Sequence, residues 1–131
     1  MAKYFTREEA ETLLPQIEPV LVELQQRHAE LEALRSEIEG MLSRMRGNGH
    51  GLQERLGELR RQHADGLAQA NNLIRHVQAF GCQLKDPAMG LIDFLALRAG
   101  REILLCWRLG EQGIHWWHEV EAGFRGRQPL E

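Results

Sequence analysis

The sequence predicts an α+β fold in which a long, coiled-coil-like antiparallel helical hairpin carries a short N-terminal helix and a small C-terminal antiparallel β-sheet. Apolar residues recur at alternating spacings of four and three in two long runs, as they do in coiled-coil helices. Beyond Gly81 this period stops, and short segments typical of strands follow. We expect one domain over residues 1–131, helical over 7–46 and 51–80, with a sheet over 82–120 and a tail over 121–131.

The first element is a helix that begins after Thr6. Thr6 and Glu9 have the spacing of a capping box, in which each side chain bonds the other residue's backbone amide. Pro15 lacks a backbone donor and disfavours helical geometry at Leu14, whereas Pro19 suits the first turn of a new helix. The sequence therefore predicts a short helix, a bend between Leu14 and Pro19, and a long helix that ends near Met45.

Two apolar runs predict the long helices and their pairing. A glycine-rich break at 47–51 separates the runs, and it is too short to let the helices lie parallel. We therefore expect an antiparallel hairpin that folds about Gly49. The first run is Ile17, Leu21, Leu24, His28, Leu31, Arg35, Ile38, Leu42 and Met45; the second is Leu52, Leu56, Leu59, His63, Gly66, Ala70, Leu73, Val77 and Phe80.

Polar residues interrupt the seam between these helices. The hairpin places Arg35 opposite His63 and His28 opposite Ala70. Such residues suit either a buried polar pocket that holds a metal, or a seam edge from which Arg35 reaches water; we favour the second. Di-iron sites in helical bundles use Glu-x-x-His, and no histidine of this sequence has a glutamate three residues before it.

Composition and charge restrict the partners and the compartment. A helical hairpin of this length leaves apolar surface uncovered, which predicts a homodimer with four paired helices. The net charge of −3 gives no reason to expect a nucleic acid partner. Two cysteines without a signal peptide indicate the cytoplasm, and the lack of any long apolar run argues against a membrane.

The C-terminal third predicts four short strands. They form an edge strand, a second strand after a turn at Asp86-Pro87, and a hairpin around 110–113. The expected strands are residues 82–85, 90–94, 102–109 and 114–120.

Two registers are open for the hairpin. Matching of apolar faces pairs Leu105 with His118 and turns Cys106 to the opposite face, beside Trp117. A turn that places Gly110 opposite Ile114 would instead bring Cys106 and His118 together. We favour the first register.

Several segments resemble one uncharacterised bacterial family, known as domain of unknown function 2203. The resemblance covers nearly the whole chain, from KYFTREEAETLLPQIEPVL at 3–21 onward. Its most specific segments are GLIDF at 90–94, LCWRLGE at 105–111, WHE at 117–119 and GFRGRQPL at 123–130. The family pattern has proline where Leu95 stands and alanine where Arg125 stands. The resemblance implies the fold and no particular activity.

Three functional hypotheses concern the C-terminal sheet. The first is a non-enzymatic accessory protein that presents a Trp-rich surface to a protein or small-molecule partner, because tryptophan dominates binding surfaces. In this hypothesis the cationic tail is flexible and closes over an anionic group through Arg127 or Arg125. Its residues are Asp93, Trp107, Trp117, His118 and Arg127.

The second hypothesis is a zinc or iron site, with Asp93 as a further carboxylate nearby. Its ligands are Cys106, His118, Glu119 and Glu121. The third is an enzyme of unassigned class with Asp93, His118 and Arg127 in one pocket, or with Cys106 and His118 as a nucleophilic pair.

Each of these residues also has a purely structural interpretation. His118 suits a core histidine bonded to Asp93 or to a backbone carbonyl, and Cys106 suits a small buried hydrophobic residue. The three tryptophans suit the core of a sheet that has little else to bury.

Overall fold

The computed structural model describes residues 3–46 and 51–130, and it contains two helices followed by a five-stranded antiparallel sheet. The strands lie side by side in chain order, so the sheet is a meander. The predicted α+β class is confirmed. The elements are α1 (Arg7–Met45), α2 (Gln53–Ala79), β1 (Gln83–Asp86), β2 (Leu91–Arg98), β3 (Arg101–Arg108), β4 (Trp116–Glu119), a 3-10 turn (Phe124–Gly126) and β5 (Gln128–Pro129).

Helix α1 begins with the predicted capping box. The Thr6 hydroxyl accepts a hydrogen bond from the Glu9 amide at 3.0 Å, and the Glu9 carboxylate accepts one from the Thr6 amide at 2.9 Å. These bonds satisfy two of the amides that the first turn of any helix leaves free.

The predicted short helix and bend are wrong, because α1 runs unbroken through Pro15 and Pro19. An interior proline costs a helix about 3 kcal/mol. Both prolines are exposed, so water can reach the carbonyl groups that lose a donor. On the opposite side Ile17, Leu21 and Leu24 are fully buried, and each contributes about 1.5–3 kcal/mol of hydrophobic stabilisation when the helix continues unbroken. Tertiary burial therefore outweighs the local cost.

Residues farther along α2 contact residues earlier in α1, so the two helices run in opposite directions. Near the distal end Arg55 of α2 bonds Glu37 of α1 at 3.4 Å, and farther along α2 Gly66 lies against Leu31. Four of the five residues of the predicted glycine-rich break at 47–51, residues 47–50, lie outside the described residues, so the hairpin itself stays a prediction.

The polar seam residues lie at the surface or half-buried. Arg35 is exposed and forms ion pairs with Glu32 and Glu39 of its own helix, while His28 and His63 are half-buried. Among the described residues, neither histidine joins a cluster that could hold a metal.

Two apolar clusters stabilise the fold. The larger one joins α1 and α2 to one face of the sheet, and a smaller one near the distal ends of the helices consists of Met41, Leu56 and Leu59. No helix in the described part of the chain is long and apolar enough to cross a membrane. The fully buried members of the larger cluster include Ile17, Leu21, Leu24, Val77, Ile92, Phe94, Trp107 and Ile114.

The sheet extends beyond the predicted strands at two places. Strand β2 continues to Arg98 and turns into β3 through Ala99 and Gly100, whose φ angles of 50° and 77° fit the two-residue turns of tight hairpins. The end of the predicted tail also joins the sheet, since Gln128 and Pro129 pair with Trp117 and Trp116.

Candidate functional site

The sheet has two faces of different chemistry. The first face packs on the helices, and its side chains are apolar, because successive residues of a strand alternate between faces. The second face carries Asp93 of β2, Cys106 of β3, and Trp116 and His118 of β4. The side chains of the first face are Ile92, Phe94, Ala96, Ile103, Leu105, Trp107 and Trp117.

Both predicted registers of the β3–β4 hairpin are wrong. Leu104 lies opposite His118, and Cys106 lies opposite Trp116. Each prediction treated Ile114 as a strand residue. Instead, Ile114 turns into the core, and its amide donates to Glu11 of α1 at 2.8 Å, so β4 begins only at Trp116.

The actual register brings three metal-binding side chains together on the second face. Asp93 lies directly opposite Cys106, and His118 is the diagonal neighbour of Cys106, within reach across a strand pair. Their ligand atoms all lie within 4.8 Å of one another. Asp93 and His118 are 1% exposed, and Cys106 is fully buried.

The imidazole of His118 lies between two oxygen atoms. Nδ1 is 2.7 Å from the carbonyl oxygen of Glu119, and Nε2 is 3.0 Å from Oδ2 of Asp93. A carbonyl oxygen only accepts, so Nδ1 carries a hydrogen. Nε2 then faces a carboxylate, and this contact is favourable only with a proton or another cation between the two atoms.

The second carboxylate oxygen of Asp93 has no hydrogen-bond partner in the described part of the chain, although it is buried. An unsatisfied buried polar atom costs about 1–3 kcal/mol, and more when it is charged. The Cys106 thiol, a weak donor, interacts with this carboxylate, so the second oxygen is at most weakly satisfied.

The environment of Cys106 favours the protonated form of its thiol. Burial and the adjacent negative charge of Asp93 raise the pKa of Cys106 to about 12. A protonated thiol is a poor nucleophile, so the geometry does not favour the Cys106–His118 nucleophilic pair. A bound metal cation would reverse this balance, because it displaces the thiol proton.

An ion pair between Arg127 and Glu111 borders the cluster. The guanidinium donates two hydrogen bonds to the Glu111 carboxylate, at 2.9 and 2.6 Å, and one to the Cys106 carbonyl oxygen at 3.5 Å. It also lies 5.2 Å from the centre of the Trp116 ring and 4.6 Å from that of Phe124. Arg127 thus lies on the second face.

The anion that Arg127 contacts in this structure is Glu111 of the same chain, whose carboxylate the Arg108 amide orients at 2.7 Å. Flexibility of the tail and closure over an external anion stay predictions. Arg125, the other arginine proposed to make this contact, is exposed.

The remaining predicted residues lie elsewhere. The Glu119 side chain bonds Arg101 at 2.8 Å, and Glu121 is exposed in the turn after β4, so neither carboxylate joins the cluster. Trp107 and Trp117 pack in the core, as their structural interpretation expected, with 1% and 6% of their surface exposed. They leave little aromatic surface for a partner.

Sequence reasoning missed the pairing of Asp93 with Cys106 and the pairing of Glu111 with Arg127. One signal was available for the first. Asp93 is the only charged residue of the segment Leu91–Leu97, which is otherwise apolar. A carboxylate in the middle of a buried strand requires a partner on a neighbouring strand.

The comparisons with known proteins give a family. A family model described as "Uncharacterized conserved protein (DUF2203)" matches residues 3–130. No curated protein and no solved structure matches the chain.

Proposed function

The chain belongs to the family of uncharacterised conserved proteins DUF2203, and we propose that it binds one divalent transition-metal ion through Asp93, Cys106 and His118. One observation carries the proposal: an unpartnered oxygen of Asp93, in a side chain that is 2% exposed, lies beside a thiol and an imidazole. We place the protein in the cytoplasm, where free thiols persist.

A metal ion would resolve the electrostatics of this cluster. It would replace the proton between Nε2 and the carboxylate, and it would supply a partner for the weakly satisfied oxygen of Asp93. The Glu119 carbonyl already holds Nδ1, which fixes the orientation of the ring for coordination through Nε2.

The donor set favours zinc or iron(II) over magnesium or calcium. Thiolate and imidazole suit borderline and soft cations, whereas magnesium and calcium prefer oxygen ligands. Ligand atoms bound to one zinc ion lie about 2.0–2.3 Å from it, so small side-chain rotations within the observed cluster suffice. The ligands come from β2, β3 and β4, and the ion would tie these three strands together.

The test is metal content and zinc titration of protein purified without a histidine tag. We expect one zinc or iron ion per chain. The conservative changes Asp93→Asn, Cys106→Ser and His118→Gln should each reduce occupancy strongly. Cys82→Ala is the matched control, because Cys82 is the other buried free cysteine and lies outside the cluster.

Cobalt substitution identifies the ligands directly. The wild type and Cys82→Ala should both give a thiolate-to-cobalt charge-transfer band, and Cys106→Ser should lose it. A folded wild type that stays metal-free and binds neither zinc nor cobalt would refute the proposal. The Asp93–His118 pair would then be a purely structural contact.

Self-association through the helices is a second candidate property, as part of an accessory role with a protein partner. Its support is apolar surface along the helices: Leu34 and Ile38 are half-buried, while Leu42 and Leu67 are 38% and 45% exposed. A second copy would cover this surface across a two-fold axis. Light scattering tests the idea, and a monomer at micromolar concentration contradicts it.

A further inference from the structure

We propose that residues 120–130 form a strap that controls access of the metal to the cluster, and that the Arg127–Glu111 ion pair keeps the strap closed. This inference rests on the proposed metal site. It assigns the Arg127–Glu111 ion pair, which lies outside the three metal-binding side chains, the role of holding the strap closed over that site.

The strap lies over the same face as the cluster. Its Arg127 contacts the Cys106 carbonyl oxygen and stacks beside Trp116, the neighbour of His118 on the second face. The aromatic ring of Phe124, within the strap, contacts the same guanidinium. Cys106 is fully buried, and its side chain interacts with the Arg127 guanidinium, so we expect the closed strap to keep a cation in solution from its sulfur.

Few contacts hold the strap in place. None of residues 120–130 is fully buried, and β5 contributes only two residues to the sheet. Two further backbone bonds join the strap to the rest of the described chain: the Leu130 amide donates to the His115 carbonyl oxygen at 2.8 Å, and the Ala122 amide donates to that of Glu119 at 3.0 Å. The half-buried Leu130 also packs against the larger cluster. Segments with so few buried contacts open locally without global unfolding.

The Arg127–Glu111 pair is the strongest single attachment of the strap. It is bidentate and partly shielded from water, with 13% and 26% of the two side chains exposed. Charge-assisted bonds of this kind are about twice as strong as neutral ones. Glu111→Gln keeps the shape of the side chain and removes its charge, so we expect the open fraction of the strap to rise about tenfold.

Thiol reactivity in metal-free protein measures this opening. Cys82→Ala leaves Cys106 as the reporter under the strap, and Cys106→Ala leaves Cys82 as a reporter in the core against the helices. With an aromatic disulfide reagent in excess, Glu111→Gln should speed modification of Cys106 about tenfold and leave that of Cys82 unchanged. Arg101→Gln is the control, because it removes an exposed ion pair of the same sheet.

Zinc release completes the test. In an excess of chelator, Glu111→Gln should release zinc about tenfold faster than the wild type, with unchanged stoichiometry. Equal Cys106 reactivity in both proteins, or equal acceleration at Cys82, would overturn this role of the ion pair. A wild type that takes up no zinc refutes the metal site alone, since the thiol rates still decide whether the strap opens.

Discussion

Polar residues within apolar sequence patterns are exposed on the helical pair but buried on the second face of the sheet. Arg35 stands at an apolar position of the helical pattern, yet its side chain is exposed and bonds glutamates one turn away. Asp93 stands in an apolar strand and is 1% exposed, and its carboxylate accepts a hydrogen bond from His118, 25 residues away on another strand.

This contrast has an energetic meaning. Exposed ion pairs within one helix contribute little to stability and serve mainly to keep the surface solvated. A buried carboxylate costs several kcal/mol, by order of magnitude, unless its partners compensate for the lost water. Asp93 and His118 are the two buried polar residues among those that the structure describes, and both lie on the second face, which directs attention to this face as the functional one.

The strongest test of this difference compares the free energies of unfolding of His118→Ala and Arg35→Ala, both in metal-free buffer. His118→Ala removes the hydrogen-bond partner of a buried carboxylate and should lower the free energy of unfolding by about 3–5 kcal/mol. Arg35→Ala removes exposed contacts and should leave the urea midpoint unchanged.

A second variant separates lost charge from lost shape. Asp93→Asn keeps an amide oxygen near His118 and removes the buried charge, so its destabilisation should be clearly smaller than that of His118→Ala. If His118→Ala unfolds at the wild-type urea concentration, the buried pair contributes nothing and the contrast between the regions fails.

The same two regions explain what the sequence could predict about the fold. The two long helices and the cap at Thr6 depend on neighbours within a few residues, and those predictions were confirmed. The coiled-coil-like pairing of the helices stays a prediction. The bend at Pro15 was wrong because burial of Ile17 and Leu21 against other elements outweighs a local cost.

The site depends on longer-range contacts. The register that joins Cys106 to His118 follows from Ile114, whose amide bonds Glu11 at a separation of 103 residues. The alternation of apolar and polar residues along the hairpin strands gives no information about a contact with α1. The sequence therefore identified the right residue types in the right region, including Asp93 as a partner of His118, but it also counted Glu119 and Glu121 among the ligands.

Glycine substitutions sharpen the comparison at a smaller scale. Gly57 lies inside α2 with its nearest side-chain atom 3.9 Å from an added Cβ, so Gly57→Ala should raise the free energy of unfolding by about 0.5–1 kcal/mol. At the edge of the sheet, Gly90 has a φ of 64°, and an added Cβ would lie 2.6 Å from that of Leu109.

Gly90→Ala should therefore lower the free energy of unfolding by at least about 1–2 kcal/mol. Urea denaturation of the two variants beside the wild type measures both signs. Equal shifts in the same direction would show that the helices and the sheet do not differ in their need for glycine.

The smallest expected effect concerns the helical side of the comparison, at Glu9. Hydrogen bonds from the backbone and side chain of Thr6 lower the pKa of Glu9. Its charged form therefore stabilises the folded state at pH values above the ordinary glutamate pKa, and that contribution disappears as the pH falls through the lowered value.

Glu9→Gln removes the charge and keeps an oxygen for the capping box. The stability advantage of the wild type over Glu9→Gln should be present at neutral pH and vanish in acid, as measured by urea denaturation across that range. Glu8→Gln is the control, because Glu8 is a first-turn carboxylate outside the capping box. A pH-independent difference between the wild type and Glu9→Gln would mean that the cap acts through shape alone.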